Sequence, residues 1–291
     1  MSAKLKGVGV ALVTPFHKDG SIDFKSFKSL IEHTIAGKVD YLVPLGSTGE
    51  AATLNKDEKR AVLDFVKEEN NSRLPIVVGY GGNNTRDLLD CLMDGDFDDV
   101  DAILSVSPAY NKPTQKGIYN HYKMISESSP VPIILYNVPG RTGSNISADT
   151  TLSLASDFKN IIGIKEASGN FDQFMQIFKN RPKNFLMISG DDTITLPFIA
   201  LGGDGVISVV ANAYPKEFST MVHHAMDGNF ADARKLHYKL LDITNSLFIE
   251  NNPAGIKMAL NLLDITQEHL RMPLMAVSKA TQNKMAALMG V

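Results

Sequence analysis

Ile161-Ile162-Gly163-Ile164-Lys165-Glu166 is an apolar, branched run that ends on a lysine and a glutamate. Such a run reads as a strand buried on both faces, the pattern of a parallel sheet covered by helices. Similar short runs recur at 8–13, 41–45, 76–78, 102–106, 133–136, 185–188 and 206–209, which makes eight in all. Each gap between them is long enough for a helix, and the gap before the last run is tight. Residues 26–35 carry Phe27, Leu30, Ile31 and Ile35 at helical spacing. Asn55 with Glu58 three residues on predicts a capping box at the start of a helix over 56–66. Eight βα units in series predict an α/β fold, a (β/α)8 TIM barrel. A doubly wound sheet is the competing architecture, but no G-x-G-x-x-G follows the first strand.

The pattern changes after about residue 215. Segments 217–226, 230–248, 254–263 and 273–289 read as amphipathic helices with no strands between them. The expected organisation is a catalytic barrel over 1–224 and a C-terminal helical appendage over 225–291.

A strand-end lysine can snorkel to solvent. Alternatively it can sit in a site, where burial favours the neutral amine and hence a nucleophile able to form a Schiff base. In a (β/α)8 barrel the chemistry lies at the C-terminal ends of the strands. Those ends carry Thr14, Gly46-Ser47-Thr48-Gly49-Glu50, Gly79-Tyr80-Gly81, Ser107-Pro108-Ala109-Tyr110, Tyr136-Asn137, Lys165-Glu166, Gly190-Asp191-Asp192 and Ser208. Residues 46–50 put two hydroxyls and backbone N–H groups before a helix, which suits a carboxylate or phosphate, though a plain βα turn has the same look. Tyr136 can relay protons. Arg141, on a loop stiffened by Pro139, can clamp a carboxylate in bidentate fashion or lie in solvent.

Bulk properties narrow the function classes. The chain has 291 residues, 44% hydrophobic and 21% charged, with a formal net charge of -3, so no basic face for nucleic acid is expected. The start is short and polar, and no apolar run approaches about 18 residues, so neither export nor membrane spanning is expected. Cys91 is the single cysteine, which leaves no intramolecular disulfide and fits a cytoplasmic protein. Residues 94–99 place glycine at the wrong position for a calcium loop, and His223, His224 and His237 lack metal-ligand spacing. No metal and no cofactor are expected.

Taken together, Gly46-Ser47-Thr48-Gly49-Glu50, Tyr136-Asn137-Val138-Pro139-Gly140-Arg141-Thr142-Gly143, Gly163-Ile164-Lys165-Glu166-Ala167 and Ser189-Gly190-Asp191-Asp192 resemble the dihydrodipicolinate synthase / N-acetylneuraminate lyase family. The resemblance runs from about residue 7 to the C-terminus. Arg141 favours the synthase branch over the sialate lyases. Ser47, where synthases usually have threonine, also occurs in the lyase branch.

That resemblance implies a class I aldolase-type synthase acting on pyruvate and L-aspartate 4-semialdehyde. Lys165 would form the imine with pyruvate, and Ser47 and Thr48 would hold its carboxylate. Tyr136, Ser47 and Tyr110 would relay protons, with Tyr110 reaching in from a neighbouring subunit. Arg141 would hold the carboxylate of the second substrate, and Gly190 and Ile207 would offer carbonyls near Lys165. A homotetramer, a dimer of dimers, is implied as well. The alternative is a pyruvate-dependent aldolase for sialic acid or a 2-keto-3-deoxy sugar acid.

Overall fold

A computed structural model describes residues 2–291. The strands are β1 (Gly7–Ala11), β2 (Tyr41–Val43), β3 (Val77–Gly81), β4 (Ala102–Val106), β5 (Ile133–Asn137), β6 (Ile161–Glu166), β7 (Leu186–Ser189) and β8 (Gly205–Ser208). They form one parallel sheet in the order β2-β1-β8-β7-β6-β5-β4-β3. The ends of that order meet. Leu42 N–H donates to the Pro75 carbonyl at 3.0 Å and Gly79 N–H to the Pro44 carbonyl at 2.9 Å, which closes the (β/α)8 barrel. Closure leaves no strand edge exposed.

Alternation along the strands divides the apolar residues between two cores. Inward residues such as Val43, Val77, Leu104, Ile134, Tyr136, Ile188 and Ile207 fill the barrel, and Leu5 joins them from before β1. Outward residues such as Ile103, Ile133, Leu135, Ile164 and Met187 pack against Ile118, Tyr122, Leu154, Phe174 and Ile177 of the surrounding helices. The tight gap before β8 holds only the short helix Thr195–Ala200.

Local signals explain where the helices start. Lys56–Asn70 carries the capping box, with Asn55 Oδ1 accepting Glu58 N–H and Glu58 accepting Asn55 N–H, both at 2.9 Å. Helix Pro215–Met226 follows β8 after a short 3-10 turn, Val210–Asn212, and buries Phe218, Met221 and Val222. Phe230–Ser246 and Ala254–Leu262 come next. The helix expected over 273–289 is shorter than its pattern. It begins at Lys279, where Ser278 caps it by accepting Thr281 N–H, while Glu250 takes Ser278 N–H at 2.9 Å. Its first turns are replaced by irregular chain after Pro273.

A buried ionic cluster joins the C-terminal helices to the barrel. Lys257 and Glu50 are fully buried, with Nζ 2.5 Å from Oε1. Lys257 also donates to the His269 carbonyl at 2.8 Å and lies 4.1 Å from the centre of the Phe16 ring. Arg271 packs on the same ring, donates its N–H to Glu50 Oε2 at 3.1 Å and pairs with Glu58 at 2.5 Å. The Arg271 hydrogen bonds hold the Glu58 carboxyl down at about 2. Burial pulls the Lys257 ammonium down to about 8, with Glu50 opposing.

Replacing Lys257 with methionine keeps the side-chain volume and leaves Glu50 buried without its cation. Losing one partner of a buried pair costs roughly 3–5 kcal/mol. The expected result is a Tm lower by on the order of 10 °C at fixed protein concentration. Adding Glu50→Gln should recover part of that loss. A calorimetric shift below about 2 °C for Lys257→Met would contradict a structural pair.

Candidate active site

Strict alternation from Ile161 would point Lys165 the wrong way. Ile161 and Ile164 both belong to the outer core, an odd spacing that one pleat cannot give. The pairing of β5 with β6 supplies the missing step. Ile133 pairs with Ile161, but Ile134 pairs with Gly163, so one extra residue bulges from β6. Past the bulge the phase is inverted, and Tyr136 lies opposite Lys165, both directed into the barrel. Gly163 permits this, because a Cβ there would lie 2.7 Å from Leu186 Cβ and 2.8 Å from the Leu186 carbonyl.

Lys165 is therefore an interior lysine with only 6% exposure. Its Nζ lies 4.3 Å from the centre of the Tyr136 ring. Among the described residues no carboxylate is within ion-pairing distance of it. The contrast with Lys257, which is tied to Glu50, is sharp.

Lys165 and Tyr136 open into a cavity of about 1120 Å³ at the C-terminal ends of the strands. Ser47, Thr48, Arg141, Gly190 and Ile207 line the same cavity. Residues 46–50 form a compact turn, and the first helical turn after it, Ala51–Thr53, is a short 3-10 segment rather than the expected helix. Gly49 and Glu50 N–H groups bond back to Gly46 and Ser47 carbonyls at 3.1 Å. The N–H groups of Ser47 and Thr48 donate to no protein acceptor among the described residues. They offer an anion two donors beside two hydroxyls.

Three contacts pin this turn. Thr14 Oγ1 donates to the Gly49 carbonyl at 2.7 Å, Asn252 Nδ2 donates to Thr48 Oγ1 at 2.9 Å, and Lys257 holds Glu50. Arg141 sits on a single helical turn, Pro139–Thr142, with proline in its first position, rather than on an open loop. Its Nη2 donates to the Asn252 carbonyl at 3.3 Å. Asn252 thus touches both the 46–50 turn and the Arg141 turn.

Tyr110 stands apart. It is 89% exposed, has φ +68°, and does not line the cavity of its own chain. Its N–H donates to the Thr142 carbonyl at 3.1 Å.

Asn252, Lys257 and Arg271 are the supporting residues that the sequence reading missed. Lys257 carries a legible signal, a lysine inside the apolar helix Ala254–Leu262, which is the reasoning applied to Lys165. Among the described residues no group of three or more His, Cys, Asp or Glu side chains could hold a metal ion, and no helix is long and apolar enough to cross a membrane.

Comparison with known proteins places this geometry. The sequence pattern of the dihydrodipicolinate synthetase family matches residues 4–290. The 4-hydroxy-tetrahydrodipicolinate synthase of Flavobacterium psychrophilum is 51% identical over 279 residues, covering 96% of this chain and 95% of the relative. That of Phocaeicola vulgatus is 48% identical, covering 99% and 97%. Among solved structures, the dihydrodipicolinate synthase of Acinetobacter baumannii, chloride inhibited and complexed with pyruvate, superposes with a TM-score of 0.95 at 38% identity, covering 98% of each chain. The Thermotoga maritima enzyme gives 0.95 at 38% identity, covering 98% of this chain and 97% of that one. With a match along nearly its whole length and relatives near half identity, the chain belongs to the dihydrodipicolinate synthetase family.

Proposed function

We propose that this protein condenses pyruvate with L-aspartate 4-semialdehyde, through an imine on Lys165, to give 4-hydroxy-tetrahydrodipicolinate. The observation that carries the reading is the interior Lys165, with no carboxylate partner among the described residues, facing the cavity beside Tyr136. The relatives are named for the synthesis of the same product.

The chemistry follows from the positions. The neutral amine of Lys165 attacks the ketone carbon of pyruvate, and loss of water leaves the imine. The N–H groups and hydroxyls of Ser47 and Thr48 hold the pyruvate carboxylate. Tyr136 moves protons as the imine forms and as it becomes the enamine. The enamine carbon attacks the aldehyde carbon of the second substrate, forming the carbon–carbon bond and a hydroxyl. The amine of that substrate then attacks the imine carbon, which closes the ring and releases Lys165. Gly190 and Ile207 wall the lysine side of this space, and Arg141 pairs with the carboxylate of the aldehyde substrate.

Turnover separates this reading from a sugar-acid aldolase. Pyruvate supplied with several aldehydes should be consumed with aspartate semialdehyde and not with sugar aldehydes. Arg141→Ala should raise KM for aspartate semialdehyde and lower kcat, a loss of about 1.5–3 kcal/mol for a charge-assisted contact, while the pyruvate imine still forms. Consumption with sugar aldehydes alone, or an Arg141 variant with unchanged aldehyde kinetics, would contradict it.

The exposure of Tyr110 supports a site completed by a second copy of the chain, within a homotetramer built as a dimer of dimers. Sedimentation should report a tetramer. Tyr110→Phe and Lys165→Ala subunits should each be inactive alone. Mixed after dissociation, they should regain activity at sites that pair intact groups. Confirmed hybrids without activity would count against Tyr110 acting across the interface.

A further inference from the structure

Directly behind Tyr136 and Lys165 lies a second pair, Asn137 and Glu166, one residue on in each strand and in register with each other. They point outward, toward helix Phe171–Asn180, and Glu166 is completely buried. Nothing in the proposed chemistry uses this carboxylate. Among the described residues it has no cationic partner within ion-pairing distance. Burial pushes its pKa up, and its hydrogen bonds oppose that rise.

Every contact it makes is with a donor. Asn137 Nδ2 lies 3.0 and 3.1 Å from its two oxygens, Gln173 Nε2 is at 2.7 Å, and the Ser168 N–H is at 2.9 Å. The backbone dictates which ends of the two amides face it. Asn137 Oδ1 accepts the Ile146 N–H at 2.9 Å, which turns its NH2 toward Glu166. Gln173 Nε2 donates to the Ile146 carbonyl at 3.2 Å as well as to Glu166. Both amides therefore present N–H groups, and an acceptor-only carboxylate matches them.

The same amides hold residues 145 and 146. Asn137 Nδ2 donates to Asn145 Oδ1 at 2.7 Å, and Asn145 Nδ2 donates to Gln173 Oε1 at 2.8 Å. Residues 138–146 leave β5 with Arg141 on their helical turn and return to this cluster. Both ends of the segment are thus tied to one buried carboxylate.

We infer that Glu166 is a positioning residue: its buried carboxylate fixes the Asn137–Asn145–Ile146 base of the 138–146 segment, and so aims Arg141 at the cavity from behind the Tyr136–Lys165 pair. The kinetic consequence rests on the condensation proposed above, while the structural one does not. Glu166→Gln is close in shape but sets an NH2 group against donors that cannot turn away without releasing Ile146.

Two measurements on the full chain test it. Amide hydrogen exchange needs no substrate. In Glu166→Gln, exchange should quicken across 138–146 and stay unchanged in β1, β2 and β3. In the assay, kcat/KM for aspartate semialdehyde should fall about a hundredfold, the scale of a misplaced binding group, while the pyruvate imine still forms. If Glu166→Gln does not fold, Asn145→Ala cuts the same link near the surface and should show the same local quickening. Unchanged exchange over 138–146 in a folded variant, or equal quickening along the whole chain, would overturn the inference. If the unaltered protein fails to turn over aspartate semialdehyde, the proposed condensation is wrong, and the exchange pattern alone judges Glu166.

Discussion

The ladder between β5 and β6, with its one-residue bulge, is the constraint on which the site depends. It takes a strand whose pleat would aim Lys165 at the helices and turns that lysine inward, opposite Tyr136. The cost is local: one glycine, Gly163, accepts the contact with Leu186 that a side chain would forbid. The same register sets Asn137 and Glu166 back to back with the reactive pair. A shift of one residue in β6 would exchange Lys165 and Glu166, putting the carboxylate in the cavity and the amine among the helices.

Two buried lysines illustrate how burial alone differs from function. Lys257 is the more deeply buried, and its charge is answered by Glu50, the His269 carbonyl and the Phe16 ring. It is a tie between the C-terminal helices and the 46–58 region. Lys165 has the Tyr136 ring and the cavity. A paired ammonium is a poor nucleophile because its lone pair is protonated and its partner holds it so. The interior lysine with no carboxylate partner among the described residues is the one suited to attack a ketone.

Much of the fold was legible in the sequence. Branched apolar runs of three to six residues, separated by helix-length gaps, leave few architectures besides the barrel, and the Asn55–Glu58 box starts its helix where expected. The barrel-rim reading also named Ser47, Thr48, Tyr136, Lys165 and Gly190, the reading of the proline loop named Arg141, and the family resemblance added Ile207; all of them line one cavity. The bulge was not legible, because Ile161, Ile162 and Ile164 are equally apolar and a strand buried on both faces has no alternation to break. Lys257 stood out as a lysine in an apolar helix, but what it, Asn252 and Arg271 support was hidden by distance. Glu50 and Lys257 are 207 residues apart, and no local pattern connects them. Helix periodicity over 273–278 misled because apolar spacing says nothing of the Glu250–Ser278 contact that stops the helix short.

The most direct measurement is where pyruvate becomes covalently bound. The protein is incubated with pyruvate, the imine is reduced with borohydride, and the modified peptide is located by mass. The account predicts one reduced adduct, on Lys165, with Lys257 untouched. An adduct on Lys257 or any other lysine, or none, would contradict it.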